Sequence, residues 1–260
     1  AKALSLSAGT GAITLSGAVG QTTRLGALTL NSSGATTLAQ SVKAASVTSN
    51  ADGTLSINGG SVDTTGAQTY GDAITLGANT TLTGTIINSQ STLAGGNNAL
   101  TITGAADIDG AFTGLTSLSI SGTSNIGANV TTSGTQTYAG AVTLSGGDRT
   151  LTGSTINTQS TLAGGNNALT ITGAADIDGA FTGLTSLSIT GASNLGADIT
   201  TSGTQTYAGA VTLSGGDRTL TGSTINTQST LDGGQHALTL AGNADIGGTV
   251  TALSTLSITG

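Results

Sequence analysis

ALTITG at 168–173, SLSITG at 186–191 and AVTLSG at 210–215 share one form: apolar and hydroxylic residues alternate, and a glycine closes the run. Alternation with a period of two puts Leu169 and Ile171 on one side of an extended chain and Thr170 and Thr172 on the other, the pattern of a strand with one buried face. The closing glycine, or an Asn in its place, suits a tight corner that needs φ > 0. Leu169, Leu187 and Val211 hold the second position of these hooks, and Leu238 holds it next, at sequence offsets of 18, 24 and 27 that add to 69.

That period of 69 governs most of the chain. TTSGTQTY at 131–138 returns at 200–207, Leu100 leads to Leu169 and Leu238, and Asp107 leads to Asp176 and Asp245. An earlier copy opens at Asp63 with DTTGAQTY and is one residue shorter. The whole of 1–260 therefore reads as a single segment: less regular turns over 1–62, then long repeats at 63–130, 131–199 and 200–260, the last truncated. Related hooks run through the beginning, as ALSLSAG at 3–9, AITLSG at 12–17, ALTLN at 27–31 and TLSING at 54–59. One turn of some twenty residues cannot enclose a core, but stacked turns can. The expected fold is all-β, a right-handed parallel β-helix (β-solenoid) of about 11 turns averaging about 23 residues, three to each 69-residue repeat. Alternation assigns Leu100, Ile102, Leu118, Ile120, Val142, Leu144, Leu169, Ile171, Leu187, Ile189, Val211, Leu213, Leu238 and Leu240 to the interior. Because the sequence stops inside a repeat, it is read as a piece of a longer protein.

Composition removes the main alternatives. Of 260 residues, 43 are Gly, charged residues are 7 % and aromatics 2 %, and Pro, Cys, Met and Trp are missing. A positive mean hydropathy with few charges opposes disorder. Collagen needs Gly at every third position and much Pro. Helical domains lean on Glu, Lys, Arg, Leu and Met, whereas Thr, Val and Ile suit a pleated surface. Five basic residues against twelve acidic ones, a net charge of −7, disfavour nucleic acid, which is bound by Lys and Arg on phosphates. No apolar run is long enough to cross a bilayer as a helix.

TTGAQTYGDAITLGANTTLTGT at 64–85 and AITLSGAVGQTTRLGALT at 12–29 resemble the recurring segments of very large bacterial surface proteins, the filamentous-haemagglutinin-like and β-strand-repeat adhesins, many of them exported by two-partner secretion. With the long repeats, the resemblance covers nearly the whole chain. It implies a right-handed parallel β-helix, an extracellular or cell-surface location, and a role in adhesion, aggregation or matrix (biofilm) scaffolding. The implied partners are the chain itself, by end-to-end or lateral assembly, a host or neighbouring cell surface, or exopolysaccharide. The amino-terminal secretion domain of such proteins is not in this sequence.

Catalytic chemistry finds few footholds. Asp107 and Asp109 lie two apart, as do Asp176 and Asp178, and on a strand they would share a face about 6.5–7 Å apart. They are weak candidates for Ca²⁺, weighed against a solvated turn; the third copy replaces the second Asp with Gly247. No other cofactor is expected. Asp148–Arg149 and Asp217–Arg218 read as exposed turn pairs of little energetic weight. His236, the single histidine, has no evident catalytic partner. Tyr70, Tyr138 and Tyr207 are candidate ligand contacts, through sugar stacking, although packing in a corner is the favoured reading. Asn88, Asn157 and Asn226, with the pairs Asn97–Asn98 and Asn166–Asn167, read first as corner residues, because repeats three turns apart cannot form an Asn ladder alone. Outward pairs such as Thr170 and Thr172 would make a flat hydroxyl array in the form of an ice-binding face, which frequent Ser would spoil. The expectation is a non-catalytic structural or adhesive fibre segment; the alternatives are a glycan- or partner-binding module along one face, then an ice-binding or polysaccharide-processing β-helix.

Overall fold

A computed structural model describes all residues, Ala1–Gly260. It contains strands and no helix, and its parallel strands stack as a β-solenoid of about 13 turns. Two compact units divide the chain, Ala1–Ser133 and Gly134–Gly260. In each, every turn contributes to three parallel ladders, so the turn has three short sides.

In the second unit, one ladder runs Leu169, Leu187, Gln205, Ile225, Ala244, so each turn takes eighteen to twenty residues. Another runs Ile156, Ala175, Ser193, Val211, Leu231, Val250. The remaining one runs Leu162, Phe181, Ile199, Leu220, Leu240, Ile258. The first unit repeats the plan. Leu4, Leu28, Val47, Gln68, Ile87, Ala106 and Ser124 form one ladder. Ile13, Thr36, Leu55, Ile74, Leu93, Phe112 and Val130 form the next. Val19, Val42, Val62, Leu82, Ile102 and Ile120 form the last. Its widest step, from Leu4 to Leu28, belongs to the less regular beginning.

These registers correct the expected turn. Ala244 lies four turns beyond Leu169, at a sequence offset of 75. A 69-residue repeat is therefore one six-residue side short of four turns, about three and two-thirds, and not three. The step from Leu169 to Leu187 is a real turn. Val211, however, stacks on Ser193 and not on Leu187, and Leu238 stacks on Arg218. The intervals from 187 to 211 and from 211 to 238 each run one turn and one additional side. Counting hooks misses the intervening sides that lack the full motif, such as SNL at Ser193–Leu195 and TQTY at Thr204–Tyr207.

The interior is nonetheless the expected one. All fourteen assigned aliphatics are at most 2 % exposed, and burial of each contributes about 1.5–3 kcal/mol. Strands carry chain pairing round a corner by local register shifts, as between Thr221 and Thr224. At that corner Gly242 has φ +148°, and a Cβ there would fall 1.8 Å from the carbonyl oxygen of Gly222 in the neighbouring turn. Only glycine lets the backbones of adjacent turns approach so closely.

Candidate functional site

The tyrosines do not face solvent. Tyr70, Tyr138 and Tyr207 are fully buried, which overturns their candidacy as ligand contacts. In the QTY segments Gln68–Tyr70 and Gln136–Tyr138, and at 205–207, Gln and Tyr point inward while Thr is partly exposed. Each phenol donates to the Gln two residues before it: Tyr70 to Gln68 Oε1 at 2.7 Å, Tyr138 to Gln136 Oε1 at 2.8 Å, Tyr207 to Gln205 Oε1 at 2.8 Å. Gln68 Nε2 donates to Val62 O at 3.0 Å and Thr83 O at 2.8 Å. Gln205 Nε2 donates likewise to Ile199 O at 3.2 Å and Thr221 O at 2.8 Å. Thr83 and Thr221 are where the strand pairing shifts register, so the glutamine amide satisfies carbonyls that bend into the core at a corner. Burial pushes all three phenols above their ordinary range. The glutamines escaped the sequence reading, although their signal was present. In a strand, i and i+2 share a face, so a buried Tyr carries its Gln inside with it.

The acidic pairs separate into two environments. Asp107 lies in an outward-facing polar ladder. It accepts from Asn88 Nδ2 at 3.3 Å and from Asn125 Nδ2 at 2.8 Å, one amide from each neighbouring turn. Asp176 is held alike, by Asn157 at 3.1 Å and Asn194 at 2.8 Å. Asn88 and Asn157 are thus ladder residues and not corner residues, with Asp107 and Asp176 supplying the missing rungs. Asn97 and Asn166, both at φ +61°, do turn corners, and Asn98 and Asn167 bond the carbonyls of those corners. Asp109 and Asp178 follow the strand ends and are exposed. Although Asp109 is exposed, partial desolvation beside the strand end, then repulsion from Asp107, raises its carboxyl above the usual value.

Asp148 and Arg149 form no side-chain ion pair; Arg149 Nη1 donates instead to the main-chain carbonyl of Asp148 at 3.0 Å. Asp148 Oδ1 accepts from Ala168 N at 2.8 Å, one turn on, while Arg149 Nε donates to Ser145 O at 2.9 Å. Asp217 and Arg218 repeat this, with Ala237 N at 2.8 Å and Ser214 O at 3.1 Å. Both residues cap corner backbone. The ion pair is elsewhere: Arg24 Nη2 meets Asp63 Oδ2 at 2.7 Å, with both side chains about a third exposed. His236 lies in the turn before Ala237–Ile246, its amide donating to Gly233 O at 2.8 Å.

The hydroxyl array is interrupted on every side of the second unit. Outward positions along one ladder read Thr170, Ser188, Thr206, Asn226, Asp245. Along the next they read Asp176, Asn194, Thr212, Asp232, Thr251. On the remaining one Ala163 precedes Thr182, and Ala241 follows Thr221. Because the repeat is one side short of four turns, like residues move to a new side with each copy. Among family models, curated proteins and solved structures, nothing matches this chain.

Proposed function

We propose that the chain is a length-setting segment of a structural or adhesive fibre on a bacterial surface, of the kind its resemblance to filamentous-haemagglutinin-like and β-strand-repeat adhesins implies, and that it carries out no catalysis. One observation supports this above others. The same hook packs equally well on different sides of the turn: Leu169 and Ile171 fill one side, while Leu238 and Leu240, their counterparts one repeat later, fill another. Aliphatic interiors on all sides make a repeat usable wherever it lands. Copies then add length, about 18 Å each at about 4.8 Å per turn, without disturbing any singular site. A sequence that grows by near-identical duplication and ties many of its polar side chains to its own backbone and to one another suits a spacer. Candidate partners are further copies of the chain, another cell surface or exopolysaccharide.

Cryo-electron microscopy of the native surface structure tests this. The expected result is a thin continuous fibre with an axial spacing of about 4.8 Å and a longer repeat of about 18 Å. Compact particles with a ligand-filled groove would overturn it. The alternative of glycan binding along one side loses its main support with the burial of Tyr138 and Tyr207.

A further inference from the structure

An Asp or Asn followed by Gly can close on itself, because the glycine nitrogen, with no Cβ beside it, reaches the side-chain carbonyl carbon. Five junctions of this chain have that form: Asp52–Gly53, Asn58–Gly59, Asp109–Gly110, Asp178–Gly179 and Asp232–Gly233. All lie between strands or at a strand end. Each glycine is pressed on the neighbouring turn, where an added Cβ would fall 2.0–2.5 Å from the nearest atom. Packing therefore does not set the five apart. Hydrogen bonding does. Gly53 N donates to Asp72 Oδ1 at 2.9 Å, Gly59 N to Leu38 O at 3.2 Å, and Gly233 N to Thr251 O at 2.8 Å. The Asp232 carboxylate is also engaged, accepting from Gly234 N at 3.0 Å. The amides of Gly110 and Gly179 donate to no group of the chain, and the carboxyls of Asp109 and Asp178, both exposed, accept from none. Partial desolvation, then repulsion from Asp107, keeps more of the Asp109 carboxyl in the acid form, which loses water more readily than the carboxylate does.

We propose that Asp109–Gly110 and Asp178–Gly179 are sites of spontaneous isomerisation to isoaspartate through a succinimide, and that hydrogen bonds on the glycine amides protect the other three junctions. In the first step Gly110 N bonds to Asp109 Cγ and a carboxyl C–O bond breaks. The oxygen leaves as water, taking the proton of the acid and that of the amide. Water then adds to the main-chain carbonyl of the ring, and the bond from that carbon to Gly110 N breaks. The chain afterwards runs through Cβ and Cγ, with no net change in mass and one more methylene in the backbone. Gly110 and Gly179 lie so close to Ser91 and Ser160 of the preceding turn that a lengthened corner gives up its stacking there. The last copy, with Gly247 in place of the Asp, is exempt.

The full chain is aged in mildly acidic buffer made with heavy-oxygen water, either folded or unfolded in guanidinium chloride, and is then digested for mass spectrometry. Electron-transfer fragmentation separates isoaspartate from aspartate, and the heavy oxygen counts ring openings at each site. Dividing each site's rate in the folded chain by its rate in the unfolded chain removes the intrinsic difference between Asp and Asn. That ratio is expected to be at least about fivefold higher at Asp109 and Asp178 than at Asp52, Asn58 and Asp232, the weight of one backbone hydrogen bond that must break first. Asp72→Ala removes the acceptor of Gly53 N and should raise the ratio at Asp52 several-fold while leaving Asp109 unchanged. Circular dichroism establishes that this variant is folded, and the comparison among the five wild-type junctions stands without it. Ratios at Asp109 and Asp178 no higher than at the other three junctions would overturn the proposal.

Discussion

Leu169 and Leu238 occupy the same place in the sequence repeat, yet they stand in different ladders. Leu169 and Gln205 have nothing in common as residues, yet they stand in the same one, two turns apart. The difference teaches what sets register in this fold. Stacking follows the number of sides the chain has turned, not the resemblance of the motifs. A repeat of eleven sides on a three-sided turn cannot bring successive copies into line, so ladders mix aliphatic hooks with QTY and SNL segments.

Deletions break this comparison most forcefully. Removing 187–204 excises one full turn and seats Gln205 directly on Leu169, so every later ladder keeps its partners. Removing 193–198 excises one side and shifts everything after it by one ladder. The thermal midpoint is expected to fall by less than about 5 °C in the first case and by more than about 10 °C, or with aggregation, in the second, because each turn is stabilised by its nearest neighbours. Equal losses would mean that side count does not set register.

Point changes sharpen the same contrast at single positions. Leu169→Ala leaves a cavity and should cost about 2–5 kcal/mol in urea unfolding. At Leu256, 41 % exposed, the same change should cost no more than about 0.5 kcal/mol. Gln205→Ala strands the Tyr207 hydroxyl and the carbonyls of Ile199 and Thr221, for an expected loss of about 3 kcal/mol by the same assay. Tyr207→Phe removes one hydrogen bond and leaves part of the Gln205 amide in use, so about 1 kcal/mol is expected. Should Tyr207→Phe prove as costly as Gln205→Ala, the glutamine would not be the member that holds the corner.

The smallest effect concerns pH. Burial leaves the Asp72 carboxyl above its usual value, with repulsion from Asp52 adding to it, despite polar contacts with Gly53 and Ser49 that act the other way. The folded state then holds its proton more firmly than the unfolded state does, so this group's contribution grows as pH falls from above the raised folded value towards the ordinary carboxylate range. Wild type should gain slightly in melting temperature over that descent relative to Asp72→Asn. A parallel pair of profiles would show that Asp72 titrates normally.

Much of this was legible in the residues. Alternation named the inward aliphatics, because a period of two survives whatever the turns do, and the glycines and Asn97 and Asn166 marked corners through their tolerance of φ > 0. The length of a turn was not legible. The hooks at Leu187 and Val211 look like successive rungs, and the short SNL and QTY sides between them are too weakly patterned to count. The same miscount hid the Asn88–Asp107–Asn125 ladder, whose members belong to successive turns and not to successive repeats. Tyr138 and Tyr207 were ambiguous for another reason: an amphipathic ring suits either a sugar or a core, and only a buried partner such as Gln205 decides between them.

By itself, then, the sequence determined a helix-free stack of parallel strands, its aliphatic lining and its 69-residue period, because local alternation and steric freedom at glycine need no knowledge of distant neighbours. The tertiary structure alone decided that a turn has three sides and about 19–20 residues, which unlike residues share a ladder, and where Gln205 and Asp72 point. These depend on closing a ring of strands against the turns before and after, and that closure is set by backbone geometry between residues some twenty positions apart.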